Sequence, residues 1–266
     1  MKRFSKPGSG LLVCLISLIS FTSAAKEPIV IAAENSWPPF SDMHGKGISY
    51  NLVEAAFSSV GRAFSIEVLP YARALRSTEM GEVDACWNVT RQPSTEMRFH
   101  FGEEPLMLTQ ASYFFPKGQA QNFTRPALIP DGFNMGVIID YEYGDEYTQH
   151  QHRFKQHAVN NQSQIINMLL TQRIDGAIMF DEVALYNLNQ MGLPEDAIEK
   201  GAINHVSEIY VAFSKKNPQH QQLARDLDQG LRWLRDSGEY DTIFHATEQT
   251  APTGDTDSQT RPPALQ

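Results

Sequence analysis

Residues 84–101 read DACWNVTRQPSTEMRFHF. An apolar strand pattern ending at Trp87 gives way to Asn88, Thr90, Arg91 and Gln92, and after Pro93 the apolar pattern returns at Phe99 and Phe101. That order predicts a strand whose carboxyl end spills into a polar loop. An aromatic, an amide, a hydroxyl and a guanidinium in one loop have the chemistry of a small-molecule site, because apolar walls bury a ligand and a few donors orient it. An ordinary solvated strand-to-helix connection is the competing reading, so the neighbouring segments decide.

Upstream, residues 28–33 (PIVIAA) form a short apolar run rich in β-branched residues, the pattern of a buried strand. The run ends at Glu34. The following ENSWPPFSD puts Trp37 and Phe40 around two prolines, which fix φ and are expected to hold the backbone extended with the aromatics presented. Residues 48–60 have helical spacing with Gly61 as a stop, residues 65–69 alternate as a strand, and Pro70 opens a second helix carrying Tyr71 and Arg73. Gly81 precedes the strand that leads into the central loop. Strand, helix, strand, helix, strand argues for an α/β sheet with parallel pairs, and such sheets bind ligands outside the carboxyl ends of their strands. Three aromatic and polar segments converge there: 34–40, Tyr71 with Arg73, and 87–91.

Downstream, residues 111–115 (ASYFF) and 209–213 (IYVAF) are apolar strands enclosing a self-contained αβ stretch, and are expected to be two hinge crossings. Within it, 135–139 and 173–180 read as strands, 164–170 as an amphipathic helix, and Gly144 begins a polar helical region containing Tyr147. The final helix, 223–236, carries Leu227, Leu231 and Leu234 on one face and is expected to return to the first lobe. The expected organisation is a signal segment at 1–25, a first lobe at 26–112 completed by 211–246, a second lobe at 113–210, and a disordered tail at 247–266 with almost no apolar content.

At the amino end, Lys2, Arg3 and Lys6 precede an apolar run at 11–21, and Ser23, Ala24 and Ala25 offer a cleavage site. This is the order of a secretory signal, and the run is too short to span a bilayer. Removing these three basic residues takes the formal net charge from −9 to −12. Such acidity disfavours nucleic acid or anionic lipid as a partner. Cys14 sits in a poor lipoprotein context, so no lipid anchor is expected, and Cys86 is left as the one cysteine. An exported, periplasmic monomer is the expectation.

These segments together, ENSWPPFSD, GISYNLVEAAF, LPYARAL, GEVDACWNVT, FHFGEEPL, MGVIIDYEYGDEY, LLTQRIDGAIMFDEVALY and LDQGLRWLRDSGEYDTIF, resemble the extracellular solute-binding proteins of family 3, the periplasmic amino-acid binders of ABC importers. The resemblance implies two α/β lobes of the type II periplasmic-binding fold, two hinge strands, a ligand held in the cleft, and a permease or membrane receptor as partner. The solute it implies is an amino acid or related small carboxylate. Two departures stand out. The family's T-x-T-P-E-R pattern, whose arginine clamps the ligand carboxylate, aligns here with Thr90 on its first threonine and Thr95 on the arginine. Arg91 is the expected replacement, with Arg98 and Arg73 as rivals, since a guanidinium offers planar, bidentate recognition. The family's amino-group aspartate falls on Phe180, with Asp181 beside it, and Asp140 and Tyr141 replace the usual glycine-threonine pair.

The resulting candidate ligand-binding set is Glu34, Trp37, Phe40, Tyr71, Arg73, Trp87, Asn88, Thr90, Arg91, Tyr141, Tyr143 and Asp181. No catalytic motif, cofactor or metal is expected. Cys86 reads as a packed core thiol, and His150, His152 and His157 as a solvated helix face without acidic or cysteine partners. A second function class stays open because cyclohexadienyl dehydratases resemble the same family. Glu34, Glu142 and Asp181 would be the acids of such an enzyme.

Overall fold

The computed structural model describes residues 28–248, so the expected signal segment and residues 249–266 lie outside the described residues. In the first lobe, β1 (Ile29–Glu34), α1 (Ile48–Ser59), β2 (Phe64–Leu69), α2 (Tyr71–Met80) and β3 (Ala85–Thr90) alternate, with β1 parallel to both β2 and β3. Helix α3 (Pro93–Arg98), β4 (Phe99–Phe101) and β5 (Met107–Pro116) lead into the second lobe. That lobe contains β6 (Asn134–Ile138), α4 (Asp145–His150), β7 (Lys155–Val159), α5 (Gln162–Leu170), β8 (Gly176–Phe180) and α6 (Asp181–Gln190), with β6 parallel to β7 and β8. Strand β9 (Ile198–Ser214) returns to the first lobe, which α7 (His220–Ser237) and α8 (Glu239–Glu248) complete.

One sheet runs through both lobes in the order β2-β1-β3-β9-β5-β8-β6-β7. The 17-residue β9 makes this possible: its carboxyl half pairs with β3 and β4, and its amino half pairs antiparallel with β5. Residues 111–114, expected at a crossing, already pair with β8, and residues 209–213 already pair with β3 and β4. Among the strands, 108–110 and 206–208 pair only with each other, next to the Met107–Ile209 pair, so the passage between lobes lies just before the first expected stretch and just before the second.

Local sequence explains most boundaries. Helix α2 starts immediately after Pro70 and stops at Gly81, whose φ of 79° is the left-handed geometry that glycine adopts without steric cost. Asn161 caps α5 by accepting from the Gln164 backbone N–H. Other segments depart from the expected pattern. Strand β3 does not end at Trp87 but continues to Thr90, because β9 supplies partners for Val89 and Thr90. The polar histidine run is not one helix face: His150 ends α4, His152 lies in a short turn, and His157 is in β7 beside Asn134. The Trp37–Phe40 segment is not extended but curls into a closed turn, with Trp37 and Ser41 exchanging backbone hydrogen bonds of 2.9 Å. Helix α8 carries regular structure past Phe244 to Glu248.

The first lobe's core forms where α7 lays Leu223, Leu227, Leu231 and Leu234 against α1, with Leu52, Ala56 and Phe57 buried opposite. Each such side chain contributes roughly 1.5–3 kcal/mol by burial. Beside it, Arg62 and Asp226 make a buried 2.6 Å ion pair. Gly230 sets the helix separation: a Cβ there would lie 2.1 Å from the Ala56 carbonyl oxygen. Alanine would gain about 1 kcal/mol of helix propensity, but it collides with rigid backbone rather than a flexible side chain. Gly230→Ala is therefore expected to destabilise the fold by about 2 kcal/mol net, read as a lower urea midpoint. An unchanged midpoint would mean that α1 and α7 are not in this close contact in solution.

Candidate functional site

The cleft between the lobes ends in a small buried cavity lined by Glu34, Trp37, Tyr71, Asn88 and Thr90 from the first lobe and Tyr141, Glu142 and Phe180 from the second. Strand ends put them there. Glu34 is the last residue of β1, Tyr71 the first of α2, and Phe180 the last of β8. Asn88 sits where the β3 register breaks, at φ 67°, a left-handed conformation that asparagine tolerates better than most residues. Its amide oxygen accepts from Ser49 Oγ at 2.6 Å. Asn88 Nδ2, beside Glu34, and Trp37 Nε1 are buried donors without a well-formed hydrogen bond.

Two crossed hydrogen bonds close the cavity. The Tyr141 hydroxyl of the second lobe donates to Glu34 Oε1 of the first, and the Tyr71 hydroxyl of the first donates to Glu142 Oε2 of the second at 2.6 Å. Tyr71 and Tyr141 also meet edge to face at 4.8 Å, and Trp37 meets Phe180 edge to face at 5.1 Å across the lobes. The remaining space is about 10 Å³, room for about one water. Towards solvent the cleft widens into a groove of about 570 Å³, lined by Gln92, Ser94, Thr95 and Arg98 on one side and by residues 137–143 on the other. Tyr141 and Glu142 belong to both spaces and form the wall between them.

No basic side chain lines the buried cavity. Burial pushes the Glu34 carboxyl up to about 8, outweighing the Tyr141 and Asn88 contacts that favour its charged form; nearby Glu142 adds to the rise. Burial likewise pushes Glu142 up to about 7 against the Tyr71 hydrogen bond. The closed cleft thus holds two carboxyls that resist ionisation.

Six expected site residues meet at the cavity: Glu34, Trp37, Tyr71, Asn88, Thr90 and Tyr141. Six lie elsewhere. Arg91 follows Thr90 on the alternate face of the chain, where Nε meets Glu96 at 2.6 Å and Nη1 the Gly102 carbonyl, with its side chain 38% exposed. Arg73 lies on the exposed side of α2. Trp87 packs in the core against Tyr50 and Phe64 and donates to Ser41 Oγ. Phe40 lies behind Trp37, at 4.4 Å, and Tyr143 accepts from the Ile138 N–H on the groove side. Asp181 pairs with Lys200 Nζ and Gln110 Nε2, both at 2.6 Å, and faces a separate groove of about 840 Å³ inside the second lobe. Phe180 takes the cleft-facing position, so the next residue turns away. Phe180 and Glu142 were absent from the expected ligand set, although strand alternation through 176–180 was the signal for the first. Cys86 is buried, its thiol pushed up to about 12 by burial, and among the described residues no group of three or more His, Cys, Asp or Glu is placed to hold a metal ion.

Two α/β lobes, joined by a strand pair and sharing one buried polar cavity, define a two-lobed periplasmic-binding fold. The sequence profile of the bacterial extracellular solute-binding proteins, family 3, matches residues 29–246, and the chain belongs to that family. No curated protein matches the chain. Among solved structures, a histidine kinase sensor domain with similarity to periplasmic binding proteins is 16% identical, with a TM-score of 0.70 over 84% of this chain and 96% of that one. An amino acid ABC transporter substrate-binding protein from Streptococcus pneumoniae, bound to L-arginine, is 16% identical, with a TM-score of 0.69 over 84% and 95%. An ancestral amino-acid-binding protein, a precursor of cyclohexadienyl dehydratase, is 15% identical, with a TM-score of 0.67 over 82% and 94%. Among the described residues no helix is long and apolar enough to cross a membrane.

The two cleft acids, Glu34 buried and Glu142 half-buried, set a pH dependence. A carboxyl whose pKa is higher in the closed form than in an open or unfolded chain stabilises that form below the ordinary value of 4.5 and loses the contribution as pH rises towards 8 for Glu34 and 7 for Glu142. The thermal midpoint is therefore expected to fall between pH 5 and 8, and Glu34→Gln, which cannot ionise, to flatten that fall. A midpoint rising over this range, or an unaltered slope in the variant, would refute the assignment.

Proposed function

We propose that the protein is a periplasmic solute-binding protein, exported through residues 1–25, that captures a small polar solute by closing its two lobes and presents it to an ABC-type importer or a sensory partner. The observation that carries this reading is the crossed pair of hydrogen bonds, Tyr141 to Glu34 and Tyr71 to Glu142, by which polar groups from opposite lobes converge on one cavity. A cavity of about 10 Å³ is too small for a solute, so a ligand must part these bonds and take their place. Residues 108–110 and 206–208 are the hinge in this reading, because there the lobes are connected by the β5–β9 pairing. Family membership and the similarity to an amino acid ABC transporter substrate-binding protein support importer coupling, the similarity to a kinase sensor domain supports the sensory alternative, and monomeric action is part of the proposal.

A second reading is favoured by one specific observation: Glu34 and Glu142 have the raised carboxyl pKa values that suit a general acid or base, and one similar structure is a precursor of a dehydratase. Binding is preferred because both acids are occupied by tyrosine hydroxyls and no nucleophile lines the cavity.

The test is to purify the protein from the cell envelope without refolding, identify retained small molecules by mass spectrometry, and add them back during small-angle scattering. The expected result is a retained solute and a smaller radius of gyration on rebinding. A bound solute without compaction would argue for a rigid site, and conversion of a cyclohexadienyl acid would favour the enzyme.

A further inference from the structure

We infer that the buried end of the cleft is a site for the ammonium or guanidinium group of a small organic cation that carries no carboxylate. The inference rests on the binding reading above and names its ligand class. It departs from the carboxylate expected from the family pattern.

The chemistry of the lining points one way. Its two ionisable acceptors, Glu34 and Glu142, face one another across the lobes, and each is held by a donor from the opposite lobe. The tyrosine hydroxyls occupy the positions that the N–H groups of a cationic ligand would fill. Around them stand the rings of Trp37, Tyr71, Tyr141 and Phe180, and aromatic faces attract cations once water is excluded. The groove of about 570 Å³ beyond the Tyr141–Glu142 wall gives space for the rest of a small molecule. Two buried donors, Trp37 Nε1 and Asn88 Nδ2, remain for a ligand oxygen or a bridging water.

A carboxylate finds no comparable partner. Arg91 is tied to Glu96 and Gly102 outside the cleft. Thr95 donates its hydroxyl to the Thr90 carbonyl at 2.8 Å. Arg98 reaches the outer groove, but both Nε and Nη2 are engaged by Glu79 Oε2 at 3.0 and 2.8 Å. Asp140 lines the same groove and adds negative charge.

The sign of the pH dependence separates the two ligand classes. A cation is bound best when Glu34 and Glu142 are ionised, so its uptake releases protons and its affinity rises from pH 5.5 to 8. A carboxylate ligand would show the reverse. The groups facing the pair are Tyr71 of α2, Cys86 of β3, Tyr141 and Tyr143, with Asp140 and Arg98 towards Glu142. Burial raises the three tyrosines and the thiol above their ordinary values, so they stay neutral over this interval.

The experiment compares matched probes by titration calorimetry: agmatine against L-arginine, 1,5-diaminopentane against L-lysine, and 1,4-diaminobutane against L-ornithine. The cation without the carboxylate is expected to bind roughly tenfold or more tightly in each pair, a difference of about 1.4 kcal/mol. Its affinity should rise with pH and fall about tenfold in Glu34→Gln and in Glu142→Gln, with both variants retaining the wild-type circular dichroism spectrum. Arg91→Ala should bind as wild type does. Tighter binding of the carboxylate member, an affinity that falls with pH, or failure of all three cations to bind would overturn the inference. The first of these, accompanied by compaction, would leave the binding-protein reading standing; catalytic turnover without compaction would remove both.

Discussion

The antiparallel pairing of β5 with β9 is the constraint on which the rest of the molecule depends. Each lobe is a short run of parallel strands with helices packed on it, and each would expose a sheet edge at this seam if left alone. Because β9 is long enough to pair with β3 and β4 at one end and with β5 along the other, the two edges become one continuous sheet. Strand ends carrying Glu34, Asn88 and Phe180 then lie on facing walls. The two connecting segments, 108–110 and 206–208, pair with each other through the backbone, which preserves the seam between the lobes.

Within the cleft so formed, desolvation outweighs hydrogen bonding. Each cleft carboxyl receives a hydroxyl donor, and a donor lowers a carboxyl pKa, yet both acids stay above their ordinary range. A single neutral donor recovers only part of what a carboxylate loses on leaving water. The acids consequently hold the closed form most firmly when protonated. A partner with a full positive charge would reverse that balance, since it compensates desolvation where a phenol cannot.

Much of this architecture was legible in the sequence because it follows from local periodicity and punctuation. The alternation of β1, α1, β2, α2 and β3, the Gly81 stop and the leucine face of α7 are properties of residues close together in the chain. The errors came where a distant partner decides. Thr90 is in a strand because Ile209 lies beside it, and Lys155–Val159 is a strand because β6 accepts it, whatever its polarity. In the site, the strand-end residues named from the sequence meet at the cavity, whereas Arg91, chosen by loop membership, is sent by strand alternation to Glu96. Trp87 shows the same limit: an aromatic beside a polar segment is as suited to a core under α1 as to a ligand wall, and only packing distinguishes them.

Thr95 has a structural task at the position where the resemblance implies a carboxylate clamp. The family pattern gives this position a guanidinium, which must reach into the cleft and be paired there. Here the residue is the third of α3, where its hydroxyl accepts the Gln92 backbone N–H at 3.0 Å and donates to the Thr90 carbonyl at 2.8 Å. Those contacts form half of a capping box and fasten the helix to the end of β3. A threonine so engaged has no free donor for an anion, and it is buried. The helix is thereby kept in place beside the groove, and the charged groups lining the buried end of the cleft are acidic. Restoring a carboxylate clamp would need more than replacing Thr95 by arginine: the substitution would also remove the cap and leave the Gln92 N–H and the Thr90 carbonyl without their partner.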